Sequence, residues 1–397
     1  MQKTFKKTVF ATVAATIIAS SVHADDIKVG VILGFTGPLE SLTPAMAGGA
    51  EMAFKEVSDS GKLLGGHAIL PMRADSTCID AAAATAAAER LVNSDKVVAI
   101  MGADCSGVSG AIAKNVSAPN GVPMVSPSST SPGLSTIDDN GVFFRTAPSD
   151  ARQGQLLAEI VKARGIDMVA VTYTNNDYGK PLAESFINAF EALDGQVSIS
   201  AAHEDGKADY SAEVGALSAS GAKALAVFGY VDQGGRGIIQ SSLDTDAFDR
   251  FILADGMIGN SLLTIDGDLS GSFGTGPGSQ SSGAEIFNTL ASDAGLDGTG
   301  MFVAHSYDAA ALIALAIQAG GSTERASIVA NLAKVANTPG TVILPGELAK
   351  GLEILASGGS VNYEGATIIE FDENGDTNGA YKELEIGDGQ FNTVKYH

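Results

Sequence analysis

Short apolar runs and longer stretches of helical period alternate along most of this chain. Residues 27–33 are an apolar run that stops at Gly34-Phe35-Thr36-Gly37-Pro38, a turn by its Gly and Pro content. A helix follows, with Pro44 near its start and Met46, Ala50, Ala53, Phe54 and Val57 on one face. Residues 68–74, 97–101 and 122–125 read as strands, with helices at 81–92 and 106–118 between them. Strict alternation predicts a parallel sheet covered on both faces. From Val142-Phe143-Phe144-Arg145 the pattern restarts: helices are expected at 150–163, 181–193, 210–219 and 235–243, and strands at 168–173, 197–200, 224–229 and 251–254. By element order alone, the two halves follow one plan.

After Asp255 the regularity lapses. Residues 266–280 are rich in Gly and Ser, and Gly274-Thr275-Gly276-Pro277-Gly278 reads as a linker crossing between units. Helices at 284–294, 304–319, 324–336 and 345–356 have no strands between them, so they are expected to return to the first sheet. The tail reads as short strands at 368–371, 381–386 and 391–395.

The chain opens with Met-Gln-Lys-Thr-Phe-Lys-Lys, an apolar stretch at 8–19 and Val22-His23-Ala24, the pattern of a cleaved secretory leader over residues 1–24. Removal leaves 373 residues, more than one core usually serves, and predicts an exported, periplasmic protein of two domains. Loss of Lys3, Lys6 and Lys7 turns a net charge of −22 into −25. Such a field repels phosphate backbones, which argues against nucleic acid as a partner. The two cysteines, Cys78 and Cys105, follow candidate strands at the same end of what are expected to be adjacent parallel strands, and in an oxidising compartment one disulfide is the default.

Several chemistries are set aside. The five histidines show no HExxH spacing, and no P-loop, GxGxxG turn or GxSxG elbow occurs. No metal and no cofactor are expected. Asp372-Glu373-Asn374-Gly375-Asp376 reads as a turn rather than a calcium loop. What remains is a set of polar residues at strand ends: Ser106, Ser128 and Thr130 in the first unit, Tyr178, Tyr230 and Asp255 in the second. Taken singly, each hydroxyl is equally a cap or a turn former, and each tyrosine equally a packing residue. Jointly they match a zwitterion: hydroxyls and N–H groups for a carboxylate, Asp255 and the phenols for an ammonium.

Over its whole mature length the sequence resembles the branched-chain amino-acid-binding family of periplasmic solute-binding proteins, which serve ABC importers. The carrying stretches are Phe35-Thr36-Gly37-Pro38, the Cys78 and Cys105 pair, Cys105-Ser106, Ser126 to Pro132, Asn176-Asp177-Tyr178-Gly179, Phe228-Gly229-Tyr230, Asp255-Gly256, Asn362 to Ala366 and Phe371 to Asp376. The resemblance implies a type I periplasmic binding protein: two similar three-layer α/β lobes with parallel sheets, joined by a three-crossing hinge. It places lobe 1 at 25–147 plus 277–379 and lobe 2 at 148–276 plus 380–397. It further implies that Ser106 and Thr130, with the backbone at Ser128, hold a ligand carboxylate. Asp255, with Tyr230, would hold the ammonium, and Tyr178 would close over the ligand.

Asp104 and Glu40 depart from that family's pattern and are carried as candidate ligand contacts that would favour a cationic or hydrogen-bond-donating side chain. Leu42 and Ala304 stand where aromatics occur, which predicts a wider pocket. The expected function is therefore a monomeric, non-enzymatic receptor that delivers an amino acid or close analogue to membrane permease subunits. A sensor module presenting the ligand to a signalling receptor is the alternative. A secreted hydrolase using Asp255 and a serine is a further one, which lacks an identifiable histidine base.

Overall fold

The computed structural model describes residues 26–397, so the expected leader lies outside the described residues. The first run of elements is β1 (Ile27–Leu33), α1 (Thr43–Ser60), β2 (Ile69–Asp75), α2 (Ala81–Arg90), β3 (Ala99–Gly102), α3 (Ser106–Ile112), α4 (Ala118–Asn120), β4 (Met124–Ser126) and β5 (Phe143–Arg145). Its five strands pair in parallel in the order β2-β1-β3-β4-β5. Because the order reverses at β1, right-handed crossovers put α1 on one face and α2 and α3 on the other. That accounts for the buried apolar strands: β3 and β4 are buried at every residue.

The second run is α5 (Asp150–Ala163), β6 (Met168–Thr174), α6 (Gly179–Ala192), β7 (Gln196–His203), α7 (Ser211–Ser218), β8 (Ala224–Phe228), α8 (Gly234–Asp244), β9 (Arg250–Leu253) and β10 (Phe273–Pro277). These strands order as β7-β6-β8-β9-β10, the same reversal in the same place. The chain then supplies α9 (Ser282–Asp293), α10 (Val303–Gly320), α11 (Arg325–Ala336), β11 (Thr341–Ile343), α12 (Leu348–Ala356) and β12 (Val361–Tyr363). It ends in β13 (Tyr381–Gly387) and β14 (Gln390–Tyr396), an antiparallel pair that extends the second sheet beside β10.

As expected, the late helices return to the first sheet. Helix α10 packs on α1, α11 and α12 and against β3 and β4, and 15 of its 18 residues are buried. Its sequence is apolar or small on every side, the signature of a helix enclosed all round. The one acid within it, Asp308, is met by Tyr363 Oη, the Ala366 and Thr367 N–H groups and Thr367 Oγ1.

Two sequence readings are corrected. Residues 274–277, read as linker, belong to β10, a buried strand of the second sheet; a Cβ on Gly274 would come within 2.2 Å of the Leu253 carbonyl oxygen, so the glycine permits close strand approach. Residues 368–371 form no strand and contribute only the isolated bridge between Phe371 and Thr377, whereas the parallel pair β11–β12 was not foreseen. The 372–376 stretch is a turn, with Asp372 Oδ1 accepting the N–H groups of Asn374 and Asp376.

Candidate functional site

Both sheets turn the carboxyl ends of their reversal-point strands toward one another, and every candidate side chain except Glu40 lies there. In the first half, β3 ends at Gly102, whose φ of 127° and a Cβ position 2.0 Å from the Ile32 carbonyl oxygen admit no side chain. The following loop is held down by serines of the hydroxyl-rich segment. Ser126 Oγ donates to the Ala103 carbonyl (2.5 Å) and Ser128 Oγ to the Asp104 carbonyl (2.9 Å), while Ser109 and Ser129 hydroxyls meet at 2.7 Å. These hydroxyls are spent on architecture. Two retain capacity: Ser106 Oγ accepts the Ser131 N–H (3.1 Å) and its own proton has no acceptor among the described residues, and Thr130 Oγ1 is buried without a partner.

Arg145 pins this shelf from beneath. Its side chain is fully buried; it donates to both carboxylate oxygens of Asp376 (2.6 and 2.8 Å), to Ser135 Oγ, and to the carbonyls of Ser129 and Ser131.

Asp104 lines the cleft, but its Oδ1 accepts the Gly34 N–H and the Ser76 hydroxyl, both at 3.0 Å, so it also ties together the loops after β1, β2 and β3. Burial pushes its carboxyl above the usual range, and those hydrogen bonds pull it back. Cys78 and Cys105 are joined by a disulfide. The strands that carry them are not neighbours: β1 lies between, and the bridge passes over Gly34, where a Cβ would stand 3.1 Å from the Cys78 Cβ. Glu40 is exposed on its loop, and it is Leu39 that lines the cleft.

In the second half, Tyr178 Oη donates to Asp255 Oδ1 (2.5 Å), which also accepts the Gly256 N–H (2.8 Å). The rings of Tyr178 and Tyr230 stack at 5.2 Å, and Asn176 donates to Tyr230 Oη at 3.4 Å. Asp255 Oδ2 is buried with no partner, and burial raises the carboxyl to about 6.

Asp150 was not among the sequence candidates. It is the first residue of α5, its N–H donates to the Thr130 carbonyl (2.8 Å), and its buried carboxylate stands beside the Thr130 hydroxyl short of a well-formed hydrogen bond. Burial pushes it well up, the charge of Asp255 adds to this, and the Thr130 hydroxyl and Arg145 oppose it. In sequence it reads as an acidic residue at a helix start, an ordinary position for Asp. The only signal was its place at the first passage between the two sheets.

The cleft between the halves holds a cavity of about 20 Å³, lined by Leu39, Asp104, Ser106, Ser128, Tyr178, Tyr230, Asp255 and Phe302 among others, room for little more than one water-sized group; Thr130 and Asp150 are not among its walls. A larger guest therefore enters by parting of the two halves. The aromatic wall is Phe302, with a left-handed φ of 63° at the N-cap of α10, and Ala304 faces a neighbouring cavity instead.

A clasp spans the mouth: Asp232 Oδ2 accepts the Ser41 N–H (2.8 Å), Asp232 Oδ1 the Ser261 hydroxyl (2.7 Å), and the Asp232 N–H donates to the Pro38 carbonyl (3.1 Å). Asp232→Ala removes the Ser41 bond across the mouth and the Ser261 bond within the second half. Loss of the crossing bond is expected to cost closure about 1 kcal/mol and to raise the open population, read as a larger radius of gyration by small-angle scattering.

A family profile described as periplasmic binding protein matches residues 26–351. The chain is 28% identical over 328 residues to Leu/Ile/Val-binding protein homolog 1 of Brucella abortus, covering 80% of this chain and 86% of that protein. Homolog 3 of Brucella melitensis is 32% identical over 227 residues, 56% of this chain and 59% of that one. Among solved structures, the leucine-binding protein LivK of Thermotoga maritima superimposes with a TM-score of 0.77 at 26% identity, covering 93% of this chain and 98% of that one.

Proposed function

We propose, from the premise that this chain belongs to the periplasmic binding protein family and to its branched-chain amino-acid group, that it captures an α-amino acid or close analogue between two lobes for an ABC importer. The family is one of non-enzymatic solute-binding proteins. In keeping with that, Ser106 Oγ engages the Ser131 N–H rather than a histidine base.

In this reading lobe 1 is 25–147 plus 277–379 and lobe 2 is 148–276 plus 380–397, and the lobes part and close about the three passages between the sheets. The Ser106 hydroxyl and the backbone at Ser128 take the carboxylate. The supporting observation is Asp255 Oδ2, buried without a partner on a residue that lines the cleft. A buried carboxylate oxygen left unpaired is costly, and an ammonium N–H satisfies it. The Asp150 carboxylate, with the Thr130 hydroxyl beside it, acts on Asp255 through its charge and adds to the field that favours a cation. Tyr178 and Tyr230 close over the ligand.

Isothermal calorimetry against a panel of α-amino acids tests this, and no heat or thermal stabilisation from any of them would refute it. The pH dependence follows from Asp255. An α-ammonium keeps its proton across the acid range, so below about pH 6 the protein must lose a proton to bind it. Affinity is expected to fall as pH drops through about 6, by about tenfold per unit for the one proton Asp255 must lose. For the ligand-free fold the sign is opposite: a raised carboxyl adds stability in its protonated form, which is lost as pH rises through about 6.

A further inference from the structure

Strand alternation in β13 sends Glu383 and Glu385 toward α5, where both pair with Arg164 (2.6 Å each), and sends Lys382 and Leu384 to the opposite face. There Lys382 enters a cavity of about 390 Å³ outside the cleft, walled by Ser41, Leu42, Met301 and Val303 on one side and by Asn260, Lys382 and Gln390 on the other. Lys382 alone among the described lysines is neither exposed nor within 4.0 Å of a carboxylate. Its ammonium has one long contact, 3.4 Å to the Thr299 carbonyl. Burial lowers its proton affinity and Asp297, the nearest opposing charge, raises it. Lys382 is half-buried, and with one long contact its ammonium keeps at least two N–H donors free for a guest.

We propose that Lys382 anchors a second site, between the two halves and beside the cleft, that binds a carboxylate or comparable small oxyanion. The amides of Asn260 and Gln390 and the Ser41 hydroxyl are the neutral donors within the same walls, and Asp297 limits the site to a single anionic group. Because Lys382 follows the passage into the second sheet while Ser41 and Thr299 belong to the first half, an anion there would hold the halves together. The oxyanion has two sources, a free small anion or the far end of a long amino acid reaching past Phe302, which borders both the cleft and the next cavity along.

Calorimetry and thermal denaturation of the full chain and its Lys382→Met variant separate these sources. The probes are acetate and inorganic phosphate at matched ionic strength with chloride, and 2-aminoadipate beside norleucine. Saturable stabilisation by acetate or phosphate, weakened about tenfold or more in the variant, supports a free anion. A tenfold loss for 2-aminoadipate with norleucine unchanged supports the ligand's own carboxylate. Equal behaviour of both proteins toward all four probes, or stabilisation equalled by chloride, overturns the site. Lys382→Gln carries the same comparison if the methionine variant does not fold. Anion binding without any amino acid binding would leave this site standing and remove the reading of the cleft.

Discussion

Asp255→Ala is expected to weaken binding of an α-amino acid by about 100-fold or more, because truncating one member of a buried charge pair costs about 2–5 kcal/mol. The deaminated analogue should lose less than about tenfold, since its carboxylate end meets Ser106 and Ser128 rather than Asp255. Equal losses for the two ligands would show that Asp255 does not hold the ammonium. The ligand-free Ala variant loses the acceptor of the buried Tyr178 hydroxyl, so the stability comparison belongs to Asp255→Asn, which should be at least as stable as the parent because it removes a buried charge with one oxygen unpartnered. Asp255→Asn preserves the shape and an acceptor for Tyr178 Oη, and should reproduce most of the binding loss. Lost affinity without lost stability marks a residue kept for its ligand.

Arg145→Met is expected to do the reverse, lowering unfolding free energy by about 3–5 kcal/mol, the usual cost of breaking a buried ion pair from one side. Asp376, 14% exposed at its side chain, would be left without its guanidinium, and the Ser129 and Ser131 carbonyls without their donor. The guanidinium joins two distant parts of the chain, the hydroxyl-rich shelf and the turn at 372–376 that precedes the third passage between sheets, where Ser135 Oγ also donates to Asp376. Chemical denaturation is the direct measurement. Arg145→Lys should recover only a small part, because a lysine cannot reproduce the planar, multiply forked contact. A loss below about 1 kcal/mol would show that the shelf carries itself.

Much of this architecture was legible because period-2 and period-3.6 patterns are imposed by burial, which both sheets enforce on every strand and helix. The repeated plan was readable from element order, and the strand order adds what sequence could not supply: the same reversal in each half, with the candidate residues on the loops beyond it. The failures have physical causes. Gly274 and Gly276 look like linker, yet at Gly274 the strand needs the missing side chain, since a Cβ there would meet the Leu253 carbonyl oxygen of the neighbouring strand at 2.2 Å. Asp150 was hidden because a helix start explains an aspartate equally well. Phe302 was missed because a left-handed aromatic carries no local sequence mark. The length of β11 and β12, three residues each, leaves no periodicity to detect.

The placement of Phe302 bears on how this protein can change over time. Phe302 is the N-cap of α10, the most enclosed helix of the fold, in a backbone conformation that few side chains accept. Leu39 and Tyr230 stand on loops, and a loop tolerates exchange and insertion. New ligand preferences should therefore arise by drift on the loop-borne walls, with the α10 wall inherited almost intact. A library designed to retarget the cleft would be smaller and better folded if it varied those loops and left residue 302 alone.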